Sequence, residues 1–434
     1  MMIQFKKHLK SILLLSLPIL ILSVIGYQKL TSQKVLWIGV YTGSSWDVPS
    51  GQENTLLDDV IRRFEAEHPS VTVKYESGIT KEDYSGWLAD HIVQGTQPDV
   101  FIVPENDFNL LASTGSLSNL ENKINNSIDT NRYYTASYEA GEYNNIPYAL
   151  PFESNPTLMC INRDLLESEG IAIPQSGWTV DEFFQLCQQL TKDTDGDGII
   201  DQYGTVGYTW QNAMAANGLS LFLNDGGQVN INTTPIRDVL NWYHELEKLS
   251  GNVSLSSSDF DKGKVAFMPM TLAEYRTYKP YPYHVSKYSS FSWSCIEMPS
   301  KSSIKTTEMK TSLFGISSQT SQANLAWEFL QMLSSDEKTQ QSLFAQSQGA
   351  SVIKSVMTSQ KSSEILQNDT FGTTALSSKT LNQILESAQT SPNFRSYNNV
   401  IEKADYLISQ SLAKDSIDSD LGNIQEELEL ELRK

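Results

Sequence analysis

From Lys34 onward, short apolar, β-branched runs alternate with stretches of helical spacing. KVLWIGVYTG, closing on Gly43, reads as a buried strand, and Leu57, Val60, Ile61 and Phe64 share one helix face. VTVKYE is a second strand. Trp87, Leu88, Ile92 and Val93 mark another helix, and PDVFIV is a third strand closed by Pro104. Strands that alternate with helices predict an α/β lobe with a largely parallel sheet. Open α/β sheets bind ligands at the carboxyl ends of their strands. The loops after the first and third strands, which carry Trp46 and Glu105, Asn106 and Asp107, are therefore candidate binding loops.

Beyond YALPFESNPTLMCINRDLL the pattern becomes mostly helical. In TVDEFFQLCQQL, Thr179 and Glu182 form a capping box ahead of the apolar face of Phe183, Leu186 and Leu190. A further helix runs through Ile236, Leu240, Tyr243 and Leu246; KVAFMPM and SLFGISS then read as strands, followed by the helix ANLAWEFLQMLSS. Strands returning after a helical segment imply that the chain crosses between lobes more than once. At 434 residues it exceeds a single core and predicts two or three folded units. The C-terminal IQEELELELRK is an amphipathic helix with a solvated acidic face.

Lys6, Lys7 and Lys10 precede an apolar run from Ile12 to Ile25, the layout of an export signal. Its 14 residues fall short of the roughly 20 that span a bilayer. No strong small-x-small cleavage site follows, so residues 1–30 are either a cleaved signal peptide or an N-terminal membrane anchor. The net charge of −19 is spread thinly and no basic run tracks phosphates, which argues against a nucleic-acid partner. Cys160, Cys187 and Cys295, an odd number without close spacing, suit neither a disulfide framework nor a zinc site and read as small buried hydrophobes.

TKDTDGDGIIDQYG gathers Asp193, Asp195, Asp197 and Asp201 around Gly196 and Gly198. Short carboxylates at alternate positions converge on a hard cation, and the glycines permit the tight turns between them. An EF-hand is excluded, because the twelfth position from Asp193 is Gly204 where a bidentate Glu is required. The segment is either a structural calcium loop or a polar turn after the helix ending near Leu190. Neither G-x-S-x-G nor H-E-x-x-H occurs, so nucleophilic and zinc-hydrolase catalysis gain no support. Between residues 275 and 293 lie Tyr275, Tyr278, Tyr281, Tyr283, Tyr288, Phe291 and Trp293. With Trp46 and Trp210 these offer flat faces for sugar rings, while nearby carboxylates accept hydroxyl hydrogen bonds.

The succession LLDDVIRRFEAEHPSVTVKYE, QGTQPDVFIVPEND, YALPFESNPTLMCINRDLL, WTVDEFFQLCQQLTKDTDGDGIIDQYG, FDKGKVAFMPM and AWEFLQMLSSDE resembles the extracellular solute-binding proteins of ABC importers, of the maltose-binding-protein type. The blocks follow that family's order over roughly residues 35 to 360. The resemblance implies an α/β, two-lobed periplasmic-binding-protein fold of type II, each lobe a mixed sheet flanked by helices, with a hinge of several chain crossings. It implies a first lobe of residues 35–150 and 270–313 and a second, helix-rich lobe of residues 151–269 and 314–434. It further implies a non-enzymatic monomer with no required cofactor. Such a protein captures a carbohydrate in the interlobe cleft for an ABC permease, at the outer face of the cytoplasmic membrane, anchored or secreted.

By position in the blocks, the resemblance assigns solute contact to Trp46, to Glu105, Asn106 or Asp107, to Glu153 with Asn155 near it, to Trp210, and to Tyr275 with Glu274 alongside. Glu274 and Tyr275 stand where the family usually has Trp, and no lipobox Cys follows the N-terminal segment. Two other readings are an anchored sensor presenting ligand to a receptor kinase and an extracellular calcium-dependent glycan hydrolase or lyase.

Overall fold

The computed structural model describes residues 33–48, 54–223, 226–251, 253–277, 291–301, 307–368, 375–390, 392, 394 and 396–434. The N-terminal segment 1–30 and the tyrosines Tyr278, Tyr281, Tyr283 and Tyr288 lie outside the described residues.

The alternation at the start of the chain folds as expected. Strands β1 (Lys34–Gly39), β2 (Val71–Tyr75) and β3 (Val100–Val103) are parallel, with helices α1 (Thr55–Glu67) and α2 (Lys81–Gln94) as crossovers. VFIV of β3 lacks polar alternation because all of its residues are buried, as in a sheet covered on both faces. Thr80 caps α2 by accepting from the Asp83 N–H, and Gly95 ends the helix in the left-handed region.

The short helix α3 (Phe108–Ser113) follows the β3 loop and leads toward β4 (Ala149–Asn162). Next come α4 (Val180–Leu190), β5 (Tyr203–Thr205), α5 (Trp210–Ala216), β6 (Val265–Thr271), α6 (Leu272–Thr277), β7 (Trp293–Ile296) and β8 (Thr307–Ile316). The chain continues through α7 (Ala323–Ser334), α8 (Glu337–Gln346), β9 (Ala350–Ser351), β10 (Ala388–Thr390), α9 (Tyr397–Ala413) and α10 (Ile417–Leu432). The capping box of α4 is present, with both Thr179 and Glu182 bonded across the first turn.

Among the described residues one mixed sheet runs β2-β1-β3-β8-β4-β6-β5, with β7 and β9 also paired to β4 and β10 to β8. Only β4 and β8 carry this sheet from one lobe to the other. Ala149, Leu150, Leu313 and Phe314 belong to the first core, together with Leu36, Ile38 and Phe101. Farther along β4, Leu158 and Cys160 enter one second-lobe core while Met159 and Ile161 enter another. Successive side chains of a strand point to opposite faces, so the unbroken apolar run LMCI supplies two cores at once. Between these halves the register slips: Ser312 lies opposite Glu153 but Leu313 opposite Pro151, leaving Phe152 as an extra residue. A β-bulge of this kind bends its strand, and it sits at the passage between the lobes.

The packing divides the chain differently from the sequence expectation. Phe314, Ile316 and, on α7, Ala326, Trp327, Phe329, Leu330 and Leu333 pack in the first core, although residues 314–434 were all expected in the second lobe. Met270, Leu272, Trp293, Cys295 and Met309 pack with Tyr203 and Val265, although 270–313 was expected in the first. The reason is strand direction. β8 runs antiparallel to β4, so it starts in the second lobe and returns the chain to the first.

Gly204, of the QYG turn, shows why that motif ends in glycine: a Cβ there would lie 2.4 Å from Cys187 Cα, against the backbone of α4. Gly204→Ala is expected to destabilise the fold by about 1–3 kcal/mol through overpacking. The midpoint of urea unfolding checks this; an unchanged midpoint would show that α4 can shift freely.

Candidate functional site

The floor of the cleft is one face of β8. Thr307, Met309 and Thr311 are buried, whereas the alternate residues Glu308, Lys310 and Ser312 are more exposed, the period-2 pattern of a strand with one polar side. Lys310 Nζ lies 2.9 Å from Glu105 Oε1, tying the β3 loop to this floor. With both side chains partly solvated the pair adds little stability, roughly 0–1 kcal/mol. Its chief effect is to hold charged hydrogen-bonding groups at the base of the cleft.

A cavity of about 370 Å³ opens here, and its lining includes Trp46, Glu105, Asn106, Asp107, Lys310 and Ser312, with Asn398 reaching in from α9 of the other lobe. Ser85 donates to Asp107, and Lys81 binds both Asp47 and the Ser45 carbonyl, fixing the walls of the first lobe. Tyr41 and Ser45 also line an adjoining cavity of about 570 Å³ that contains Glu153. The Glu153 carboxylate accepts the Gly349 N–H at 2.6 Å. Burial pushes its pKa up; the Trp46 indole, the Ser347 hydroxyl, the Gly349 N–H and the Arg276 charge oppose that rise. Trp46 Nε1 and Ser347 Oγ face this carboxylate without reaching hydrogen-bond geometry.

On the second lobe Trp210 and Gln211 begin α5 and both donate to Asp405 of α9. They line a smaller cavity, about 120 Å³, with Glu308 and Tyr397. Tyr397 meets Phe394 edge-on and Phe222 at a tilt, and burial among Glu308, Glu105 and Asp405 keeps its phenol protonated. Desolvation lifts the Glu308 carboxyl from 4.5 to about 7, with Lys310 opposing the rise. Two wider spaces, about 490 and 690 Å³, continue the cleft between α3 and the 142–147 hairpin on one side and the 222–229 hairpin on the other.

Of the residues expected from sequence, the structure brings Trp46, Glu105, Asn106 and Asp107 into one cavity, Glu153 into its neighbour and Trp210 into the facing wall. Asn155, Glu274 and Tyr275 are engaged elsewhere. Asn155 Oδ1 accepts the Ala273 N–H at the start of α6, and the Glu274 carboxylate accepts the N–H and hydroxyl of Thr271 as a cap. Tyr275 is buried edge-on to Trp293, and its hydroxyl accepts the Leu376 N–H. Phe291 and Trp293 of the aromatic cluster pack on Phe260. Sequence reasoning missed Glu308, Lys310, Ser312, Tyr397 and Asn398. The alternation in TEMKTS could have found the first three, whereas nothing in RSYNNV marks the last two.

In the aspartate loop, Asp193, Asp195 and Asp197 present carboxylate oxygens within 4.8 Å of one another. Asp201 does not join them; it accepts from the N–H and hydroxyl of Thr194. Both Asp193 oxygens accept backbone N–H groups, from Gly196 and Gly198 at 2.7 Å, which holds its pKa below the usual range. Three converging carboxylates suit a hard cation, and the N–H bonds also close the turn without one.

The family model for bacterial extracellular solute-binding proteins matches residues 49–340. The chain belongs to that family. No curated protein matches it. Among solved structures, the sugar-binding protein MalE of Xanthomonas citri is 16% identical, covering 92% of this chain and 98% of its own, with a TM-score of 0.73. An ABC substrate-binding protein of Listeria monocytogenes in complex with cycloalternan is 18% identical, with coverage of 91% and 98% and a TM-score of 0.65. A cyclic α-maltosyl-1,6-maltose binding protein of Arthrobacter globiformis is 17% identical, with coverage of 92% and 98% and a TM-score of 0.70. These likenesses establish the two-lobed type II fold, and membership of the family makes this an exported solute-binding protein. Neither the sensor reading nor the hydrolase or lyase reading gains support from them.

Glu308 gives this solute-binding protein a pH signature. Its folded-state pKa, about 7, lies above the ordinary 4.5, so the folded chain binds the proton more tightly than the unfolded chain. The resulting stability is full below about 4.5 and lost as pH rises through about 7. Melting temperature is expected to fall across that window, and Glu308→Gln to flatten the slope; parallel curves for the two proteins would contradict the assignment.

Proposed function

We propose that this solute-binding protein captures a carbohydrate, specifically an oligosaccharide, in the cleft and delivers it to the transmembrane subunits of an ABC importer, without chemical conversion. The observation that carries this reading is a set of buried polar atoms without intramolecular partners: Asn106 Oδ1, Ser312 Oγ, Gln211 Oε1 and Trp46 Nε1. A buried donor or acceptor left unmade costs about 1–3 kcal/mol, so groups of this kind are suited to a ligand rich in hydroxyls. Trp46 and Tyr397 add aromatic faces against which the apolar side of a sugar ring packs. Several relatives of this fold carry oligosaccharides, cycloalternan and maltotetraose among them.

In this reading Trp46, Glu105, Asn106, Asp107 and Glu153 contact solute from the first lobe, and Trp210, Tyr397 and Asn398 from the second. The lobes close about the Phe152 bulge, and solute favours the closed arrangement because only there do both walls touch it. The N-terminal segment directs export and then either anchors the protein at the outer face of the cytoplasmic membrane or is cleaved to release it.

Calorimetry against linear and cyclic α-glucans and manno-oligosaccharides tests the reading. Binding is expected for at least one series, and Trp46→Ala or Tyr397→Ala should weaken it tenfold or more, about 1.4 kcal/mol. If every glycan is silent while a peptide or an amino acid binds, the sugar assignment is lost.

Calcium, held by Asp193, Asp195 and Asp197, has a structural role here and stiffens a second-lobe turn away from the cleft. Dialysis against a chelator is expected to lower the melting temperature and leave solute affinity nearly intact. A fall in affinity while the protein stays folded would contradict that role.

A further inference from the structure

We propose that Cys160 and Cys295 are joined by a disulfide in the exported protein. They are 135 positions apart in the chain, so their spacing suggests nothing, yet the antiparallel register of β4 and β7 sets them directly opposite each other. Facing residues of an antiparallel pair have Cα atoms about 4.5–5.5 Å apart, inside the roughly 4.4–6.8 Å that a disulfide spans. Their Sγ atoms lie 2.7 Å apart, nearer than two unbonded sulfurs settle, and both side chains are buried in one core.

All three cysteines are buried thiols in the structure, and Cys187 packs in a different core, so a bond between the other two leaves it as the single thiol and accounts for the odd count. The compartment agrees, because a protein of this family works outside the cytoplasm, where disulfides form and persist.

The reaction removes one proton and one electron from each thiol as the Sγ–Sγ bond forms. A disulfide oxidant accepts both electrons and both protons and leaves as its dithiol, through a mixed disulfide. The attacking species is a thiolate. Burial in the finished core pushes the Cys160 thiol well above its ordinary pKa and hides it, so the exchange takes place while the strands are still assembling. The product ties the entry of the chain into the second lobe, on β4, to β7, the strand that precedes its return on β8.

The test folds the full chain from denaturant with oxidised glutathione, then denatures it and alkylates it without reductant. One adduct, on Cys187, is expected, rising to three when reductant precedes alkylation, and peptide mapping should find Cys160 linked to Cys295. Three adducts without reductant, or a link through Cys187, would overturn the proposal. A second measurement avoids variants that fail to fold: reductant should lower the melting temperature of the wild-type and Cys187→Ser proteins alike, and an unmoved melting temperature in both would also count against it.

Discussion

The pairing of β4 with β8 is the constraint on which the rest of the molecule depends. Among the described residues these strands alone carry the main sheet between the lobes, and they run in opposite directions. Because one leads out and the other leads back, each lobe is assembled from separated parts of the chain, and neither core closes without the other crossing. β4 can do this because its residues are buried on both faces over most of its length, first in one core and then in two. Its apolar character is a consequence of where it passes.

The polar chemistry follows from the same geometry. Buried on one face and open to the cleft on the other, β8 must alternate, and the positions released from the core are Glu308, Lys310 and Ser312. Placing them between two lobes partly removes them from water, which raises the Glu308 pKa and leaves the Ser312 hydroxyl without a partner. Unsatisfied polar groups would count as defects in a core. In the proposed binding cleft they suit recognition, because a ligand competes for them against water and not against the protein's own bonds.

Much of this was legible in the sequence. The first three strands, their two crossover helices and the α4 capping box follow from local periodicity, and the loops after β1 and β3 were identified because strand ends in such sheets carry sites. What failed was not local. Whether a late strand belongs to one lobe or the other depends on its direction beside β4, and direction leaves no trace in composition. Asn155, Glu274 and Tyr275 stood in the right blocks, but backbone groups at Ala273, Thr271 and Leu376 engage them. Cys160 and Cys295 became a pair only when register set them side by side.

The bulge at Phe152 also settles a question of parity. An extra residue on one strand reverses which of its side chains face up beyond that point, so the two halves of β4 were free to match their cores independently. Glu308, Lys310 and Ser312 all precede the slip on β8, where the strand still alternates, whereas Leu313, Phe314, Gly315 and Ile316 beyond it are all buried. A sequence change that placed an extra residue within β8 between Glu308 and Ser312 would preserve every strand, yet turn part of that row away from the cleft.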